Sequence, residues 1–168
     1  FNSCTTKAPV MKSQNNISII PKPTHLEISS SFIDLKSLKN IYLHNNSIEE
    51  INCAKLFQDF LSPITKLNNS IEKEVEKDKI IIKYDKTNVF SPEEYLLQIK
   101  DNNTVFLHSS SKSGLFYGFQ SFRQLCPPEL AKQERPKITT IPVCKIKDKP
   151  KFPYRGMHLD VSRHFFDI

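Results

Sequence analysis

The sequence predicts an α+β domain: a sheet of several mostly antiparallel strands, with two helices packed on one face. Apolar residues recur at helical spacing in two separate stretches, at residues 47–62 and 111–126. Short runs rich in β-branched and aromatic residues lie before, between and after these stretches. Because each apolar helix face must be buried against another element, we expect both helices to cover one side of the sheet.

The first helix is predicted to begin after Ser47. The Ser47 hydroxyl can accept a hydrogen bond from a free amide of the first turn, and the Glu50 carboxylate can reach back to complete a capping box. The apolar positions of the next turns share one face of a helix, and Pro63 cannot continue it. Burial of that face in the core is therefore expected.

The second helix is predicted to open at residues 111–114 and to end at Pro127 and Pro128. Gly114 and Gly118 are two of only three glycines in the chain. Placed four residues apart on one helix, they would let its backbone approach another element closely, since glycine has no Cβ.

Strands are predicted at residues 25–28, 40–43, 79–84, 94–100, 104–108 and 138–146. The turn at residues 101–103 should join two of them as a hairpin. We expect the strands at 79–84, 94–100 and 104–108 to be antiparallel neighbours, and the charged residues 68–78 to form a surface connection.

Composition and charge exclude several classes of function. The chain has 24 Lys and Arg residues against 18 Asp and Glu, a net charge of +6. The lysines are scattered among acids without aromatic residues between them, so nucleic acid is not an expected partner. No apolar run approaches the roughly 20 residues of a membrane span.

The chain has four cysteines, Cys4, Cys53, Cys126 and Cys144. They form no Cys-x-x-Cys pair and have no histidine at zinc-finger spacing, so no structural metal site is expected. Cys53, Cys126 and Cys144 are expected to be buried as small apolar side chains.

Cys4 differs from the other cysteines because Ser3 precedes it and a polar stretch comes after it. A small residue, a cysteine and a polar tether are typical of a mature bacterial lipoprotein. Two interpretations stay open: a lipid on Cys4, which would attach an exported, periplasmic or cell-surface protein to a membrane, or a free thiol. Residues 1–16 have too little apolar surface to order, so a flexible lead is predicted.

The candidate functional residues lie in residues 150–168, PKFPYRGMHLDVSRHFFDI. Apolar and polar residues alternate there as in a strand, which would run out at Arg163 and His164. The Arg163 guanidinium could donate two directed hydrogen bonds to sugar hydroxyls, with the Asp160 carboxylate holding it in place. The residues alone leave open an alternative, an ion pair that closes the end of a strand.

This stretch resembles the opening of the catalytic barrel of glycoside hydrolase family 20, the β-N-acetylhexosaminidases. The shared features are a Pro-aromatic-Pro approach, an Arg-Gly pair and a Leu-Asp-x-x-Arg-His-aromatic motif. Lys151 stands where many members carry Arg, and His158 occupies a usually apolar position. The resemblance extends back to about residue 17 through IIPKP, EEYLLQI and GLFYGFQSFRQL, which are similar to the accessory domain before the barrel.

The resemblance implies that the full-length protein removes terminal non-reducing N-acetylglucosamine or N-acetylgalactosamine residues from glycans. The reaction would be retaining and substrate-assisted, and it would use no cofactor or metal. Arg163 would contact the hydroxyls of the terminal sugar, with Asp160 and His164 in supporting roles. Arg155, at the start of the strand, would be structural.

The catalytic Asp-Glu pair of the family is expected downstream of this chain. The acidic doublets at residues 49–50 and 93–94 are Glu-Glu, and they fall on a predicted helix start and a strand edge. A non-catalytic carbohydrate-binding or scaffolding module of the same fold is the alternative. A second alternative, another substrate-assisted hexosaminidase family with a similar first domain, is disfavoured by the LDVSRHFF motif.

Three regions are expected: the flexible lead at residues 1–16, an α+β accessory domain at 17–147 that buttresses the barrel, and the start of the catalytic (β/α)8 barrel at 148–168. Such a barrel needs about 250 residues. The chain is therefore expected to be a fragment at both ends, carrying the first strand of a truncated barrel.

Overall fold

A computed structural model of the chain describes residues 17–70, 77–86 and 90–156. The strands are β1 (His25–Asp34), β2 (Asn40–Leu43), β3 (Asn68–Ser70), β4 (Lys79–Tyr84), β5 (Tyr95–Lys100), β6 (Thr104–Ser109) and β7 (Thr140–Asp148). The helices are α1 (Ile48–Leu61) and α2 (Lys112–Leu125), with short 3-10 segments at Leu35–Ser37 and Pro128–Lys132. All seven strands form one sheet in the order β1-β7-β5-β6-β4-β2-β3, which confirms the α+β class.

The expectation of a mostly antiparallel sheet is wrong, because the described part of the sheet is mixed. The pairs β1–β7, β7–β5 and β5–β6 are antiparallel, whereas β6–β4, β4–β2 and β2–β3 are parallel. β4 was expected in an antiparallel group with β5 and β6, and it instead lies parallel to β6. The cause is connectivity: β5 follows β4 in the chain but pairs with the other edge of β6, so the chain reverses direction twice between β4 and β6.

The β5–β6 hairpin confirms the turn predicted at residues 101–103. Asn103 adopts a left-handed conformation with φ of 58°, which asparagine tolerates better than most residues. Its side-chain amide donates to Asp78 Oδ1 at 2.9 Å and to the Ser37 hydroxyl. These bonds fix the turn to neighbouring loops of the domain.

The core lies between the sheet and the two helices. Phe57 of α1 packs against Phe119 and Phe122 of α2, with ring centroids 5.0 and 4.9 Å apart, so the helices share one face of the sheet as predicted. Each large apolar side chain contributes about 1.5–3 kcal/mol when fully buried. The strand residues that face the helices alternate with outward-facing ones and are almost completely buried: Ile80, Ile82, Leu97, Ile99, Val105 and Leu107.

The capping box predicted at the start of α1 is confirmed. The Ser47 hydroxyl accepts from the Glu50 amide at 3.3 Å, and Glu50 Oε2 accepts from the Ser47 amide at 3.3 Å. The Glu50 carboxylate also accepts from the amides of Asn45 at 2.9 Å and Tyr84 at 2.8 Å. Glu50 is completely buried, and its bonds join the first turn of α1 to the end of β4.

Gly114 and Gly118 mark the closest approach of α2 to the sheet, as their spacing predicted. A Cβ on Gly114 would lie 2.5 Å from the carbonyl oxygen of Glu94. A Cβ on Gly118 would lie 3.1 Å from the Tyr95 ring and against Leu107. Side chains at these positions would push α2 away from β5 and β6.

Cys53, Cys126 and Cys144 are buried free thiols, as expected. Burial raises the pKa of Cys53 and of Cys144 to about 12, and it raises that of Cys126 as well. All three therefore remain protonated at neutral pH and pack as small apolar groups.

Candidate functional site

The residues predicted to contact or support the sugar, Asp160, Arg163 and His164, lie outside the described residues, as does Cys4. Their roles stay predictions. The segment that leads to them is described as far as residue 156 and leaves the sheet at the end of β7. We call residues 148–156 the linker, and its contacts show how the approach to the predicted site is held.

A turn at residues 91–94, just before β5, is fixed to the start of α2. The Glu93 amide donates to the Ser111 hydroxyl at 3.3 Å, and the Ser109 hydroxyl donates to the Glu94 carbonyl at 2.7 Å. Gly114 allows this close contact because a side chain there would meet the Glu94 carbonyl oxygen. The two acidic side chains of the turn therefore start from a fixed backbone.

Glu94 joins this turn to the end of β7. Its carboxylate accepts from the amide of Ser91 at 2.9 Å and from the hydroxyl of Ser91 at 2.6 Å, and it forms an ion pair with Lys147 at 3.2 Å. Burial alone would raise the pKa of Glu94, but the bonds from Ser91 and the Lys147 ammonium together hold it below its ordinary value. Glu94 is therefore ionised at neutral pH.

Glu93 joins the same turn to the linker. Its Oε2 lies 2.5 Å from Nη2 of Arg155, whose Nη1 donates to the carbonyl of Phe152 at 3.2 Å. The bond to Glu93, that carboxylate's charge and the nearby Tyr117 hydroxyl raise the pKa of Arg155, so the guanidinium stays charged. The Arg155 side chain thus ties the linker both to the α+β domain and to the linker's own backbone.

The segment before β1 is held against the same region. The side-chain amide of Gln124 on α2 accepts from the Ile20 amide at 2.8 Å and donates to the Ile20 carbonyl at 3.0 Å. Asp148 Oδ1 accepts from the Thr24 amide at 2.9 Å and from the Thr24 hydroxyl at 2.8 Å. The IIPKP stretch, which contains a cis Ile20–Pro21 bond, therefore lies between α2 and the start of the linker.

A groove of about 880 Å³ runs between this segment, α2 and the linker. Its rim carries apolar side chains that remain exposed, including Ile20, Tyr117 and Phe152, and Tyr154 of the linker is 86% exposed. At its floor the Tyr95 hydroxyl lies 2.5 Å from that of Ser121. Large apolar groups gathered at one place on a surface are typical of an interaction site.

Within residues 17–70, 77–86 and 90–156, no three His, Cys, Asp or Glu side chains are arranged to hold a metal ion. Among the same residues, neither helix has the length and apolar character needed to cross a membrane.

Sequence reasoning missed the partners of the second acidic doublet. The sequence shows Glu93 and Glu94 only as a Glu-Glu doublet that does not match the Asp-Glu pair of the family, and it gives Arg155 a structural role without a partner. Arg155 lies 62 residues after Glu93, and no local pattern relates the two. The one signal in the sequence that could have indicated this contact was charge, because the doublet before β5 is acidic and the linker is basic.

The family comparison bears directly on this domain. Residues 16–149 match the family model described as glycosyl hydrolase family 20, domain 2. The chain belongs to glycoside hydrolase family 20. This confirms the resemblance found in the sequence motifs.

Individual relatives agree with the family assignment. The chain is 32% identical over 172 residues to a β-hexosaminidase of Porphyromonas gingivalis, covering 99% of this chain and 22% of that protein. It is 29% identical over 153 residues to a β-hexosaminidase of Vibrio furnissii, covering 90% of this chain and 23% of the relative. The chain thus spans about a fifth of the length of these relatives.

A solved structure shares the fold. It is that of a mutant Streptomyces plicatus β-hexosaminidase in complex with its product GlcNAc, with a TM-score of 0.74 and 26% identity. The match covers 95% of this chain and 31% of the Streptomyces chain. The fold of this chain is therefore also found in part of a larger β-hexosaminidase.

Proposed function

We propose that the full-length protein is a β-N-acetylhexosaminidase that hydrolyses terminal non-reducing N-acetylglucosamine or N-acetylgalactosamine residues of glycans. The observation that carries the proposal is the 32% identity to the Porphyromonas β-hexosaminidase over 99% of this chain. That length includes nearly all of residues 150–168, where the LDVSRHFF motif lies. The Streptomyces relative bound to its product GlcNAc supports an N-acetylhexosamine as the sugar that is released.

The proposed reaction is substrate-assisted and retaining. The 2-acetamido oxygen of the sugar attacks the anomeric carbon, while a carboxylic acid protonates the departing glycosidic oxygen. An Asp that orients the acetamido group and a Glu that supplies the proton would come from protein beyond residue 168. No cofactor or metal is part of this scheme.

This chain would contribute sugar binding rather than the acid. Arg163 would donate charge-assisted hydrogen bonds to hydroxyls of the terminal sugar, and a planar guanidinium suits two neighbouring acceptors. Asp160 and His164 would hold that guanidinium in place. The alternation of residues 157–162 supports a strand that presents Arg163 at its carboxyl end, where barrel enzymes bind their ligands.

The accessory domain would support the catalytic barrel, which would begin within residues 148–168. The exposed apolar rim of the groove beside the linker supports this arrangement, because Ile20, Tyr117 and Phe152 need a partner surface to leave water. The catalytic domain is the natural partner, since the linker that leads to it forms one wall of the groove.

We further propose that Cys4 carries a lipid and that the protein is exported to the periplasm or the cell surface. Ser3 before it and the polar stretch after it support the proposal. The test is the intact mass of protein produced in a bacterial host with its natural signal peptide. An unmodified Cys4, or a mature protein that begins elsewhere, would refute it.

The activity is tested with the full-length protein and three aryl β-glycosides. We expect release of the aryl group from the N-acetylglucosaminide and the N-acetylgalactosaminide, but not from the glucoside, which lacks the acetamido group. NMR of the first product should show the β-anomer, as retention requires. The 168-residue chain alone should release nothing. Full-length protein that binds N-acetylhexosamines but hydrolyses neither substrate would instead be a non-catalytic carbohydrate-binding module.

A further inference from the structure

Glu93 and Glu94 each form an ion pair with a basic side chain. One of these basic residues precedes the linker, and the other lies near its end. Glu94 binds Lys147, the penultimate residue of β7, at 3.2 Å. Glu93 binds Arg155, near the other end of the linker, at 2.5 Å. Because the two glutamates are adjacent, both ends of the intervening segment are tied to one turn.

The turn itself is held in one conformation. Glu93 has a φ of 67°, in the left-handed region that side chains other than glycine rarely adopt. It is kept there by the bond from its amide to the Ser111 hydroxyl and by the bond from the Ser109 hydroxyl to the following carbonyl. A strained backbone conformation persists only where its surroundings determine it, and such positions concentrate at functional places in proteins.

The linker has little freedom between its two attachment points. Pro150 and Pro153 fix their own φ angles and restrict the residues before them. Arg155 adds a bond from its Nη1 to the Phe152 carbonyl, which closes the last turn of the linker on itself. The linker is therefore held against the accessory domain as far as Arg155.

The Glu93–Arg155 pair is not needed to hold the accessory domain together. The Arg155 side chain is 45% exposed and that of Glu93 is 30% exposed. Ion pairs with this exposure add little to folding stability because water screens both charges. An exposed pair of this kind can favour one position of the linker without adding much to the stability of the domain.

We propose that Arg155 is a positioning residue, which through its ion pair with Glu93 holds the linker where it leads into the residues predicted to bind the sugar. The proposal rests on the proposed function. Arg163 follows Arg155 by only eight residues in the chain, so a shift of the linker would be passed to the segment that carries Arg163. A misplacement of about 1 Å near a reacting group can reduce a rate about a hundredfold.

The test uses full-length protein and an aryl N-acetyl-β-glucosaminide. Glu93→Gln and Arg155→Gln should each lower kcat/KM about two- to fivefold, the range that an exposed ion pair can contribute, while leaving the melting temperature unchanged. The charge-reversed double variant, Glu93→Arg with Arg155→Glu, should recover most of the loss. Glu27→Gln is the matched control, because it weakens exposed contacts with His25 and Lys145 that lie on the same sheet but do not involve the linker.

A double-mutant cycle with Arg163→Ala then separates positioning from a general structural effect. If Arg155 acts through Arg163, Glu93→Gln should have little further effect on kcat/KM in the Arg163→Ala background. Equal loss in both backgrounds, or wild-type kinetics for both glutamine variants, would overturn the proposal. An inactive wild-type enzyme would instead refute the proposed function.

Discussion

Glu50 and Glu93 each belong to an acidic doublet, but the two carboxylates have different partners. Glu50 is completely buried and accepts hydrogen bonds from three backbone amides, those of Asn45, Ser47 and Tyr84. Its partners all belong to the folded domain. It closes the first turn of α1 and joins that helix to the parallel half of the sheet.

Glu93 and its neighbour Glu94 lie at the antiparallel half and bind side chains. Their partners are Lys147, which directly precedes the linker, and Arg155, which lies near the end of the linker. Two doublets of the same sequence, Glu-Glu, therefore make different kinds of contact in this fold. The Glu50 carboxylate binds backbone amides and stabilises the domain, whereas the Glu93 carboxylate binds Arg155 and holds the linker against the domain.

The largest expected effect belongs to the buried carboxylate. Glu50→Ala would leave the amides of Asn45 and Tyr84 without acceptors, and the unfolding free energy should fall by about 3 kcal/mol. Urea denaturation of the 168-residue chain measures it. Glu49→Ala is the control, and its effect should stay within about 0.5 kcal/mol. A loss for Glu50→Ala no larger than that of the control would remove Glu50 from this role.

A smaller and pH-dependent effect is expected at Glu94. The pKa of Glu94 is lowered in the folded chain, so its carboxylate stabilises the fold above the unfolded pKa of about 4.3. That contribution is lost as the pH falls through the lower folded pKa. Glu94→Gln should therefore reduce stability by about 1 kcal/mol at pH 7, with the difference shrinking below about pH 4. A difference that stays constant from pH 7 to pH 3 would show that ionisation of Glu94 is irrelevant.

The smallest effect is expected at Glu93. Glu93→Gln in the 168-residue chain should leave the urea midpoint unchanged within error, because the pair with Arg155 is exposed. Comparison with Glu94→Gln under identical conditions is the direct check. A clear fall in the midpoint would mean that Glu93 stabilises the domain itself, and the contrast with Glu50 would disappear.

These two doublets also show which features the sequence could reveal. The capping box at Ser47 and Glu50 was predictable because its partners are three residues apart on a helix start. The hairpin after β5 was predictable for the same reason, since a short turn connects its strands. Interactions that are local in the chain leave local patterns.

Non-local features left no such pattern. The strand order that sets β4 parallel to β6, and the contact of Glu93 with Arg155, depend on how distant segments meet in space. Helical and strand periodicity specify which face of an element is buried, but not which neighbour it meets or in which direction. The proposed sugar contacts at Asp160, Arg163 and His164 rest on family resemblance together with residue chemistry.

The central claim is that this chain contributes a substrate-binding arginine to a family 20 hexosaminidase. The most direct measurement is kcat/KM together with melting temperature for full-length wild type and Arg163→Ala. Loss of charge-assisted hydrogen bonds should reduce kcat/KM by about ten- to a hundredfold for each bond removed, at an unchanged melting temperature. If the bonds strengthen in the transition state, kcat should fall as well as KM rise. A stable variant with unchanged kinetics, or one that melts early but retains normal kinetics when folded, would contradict the claim.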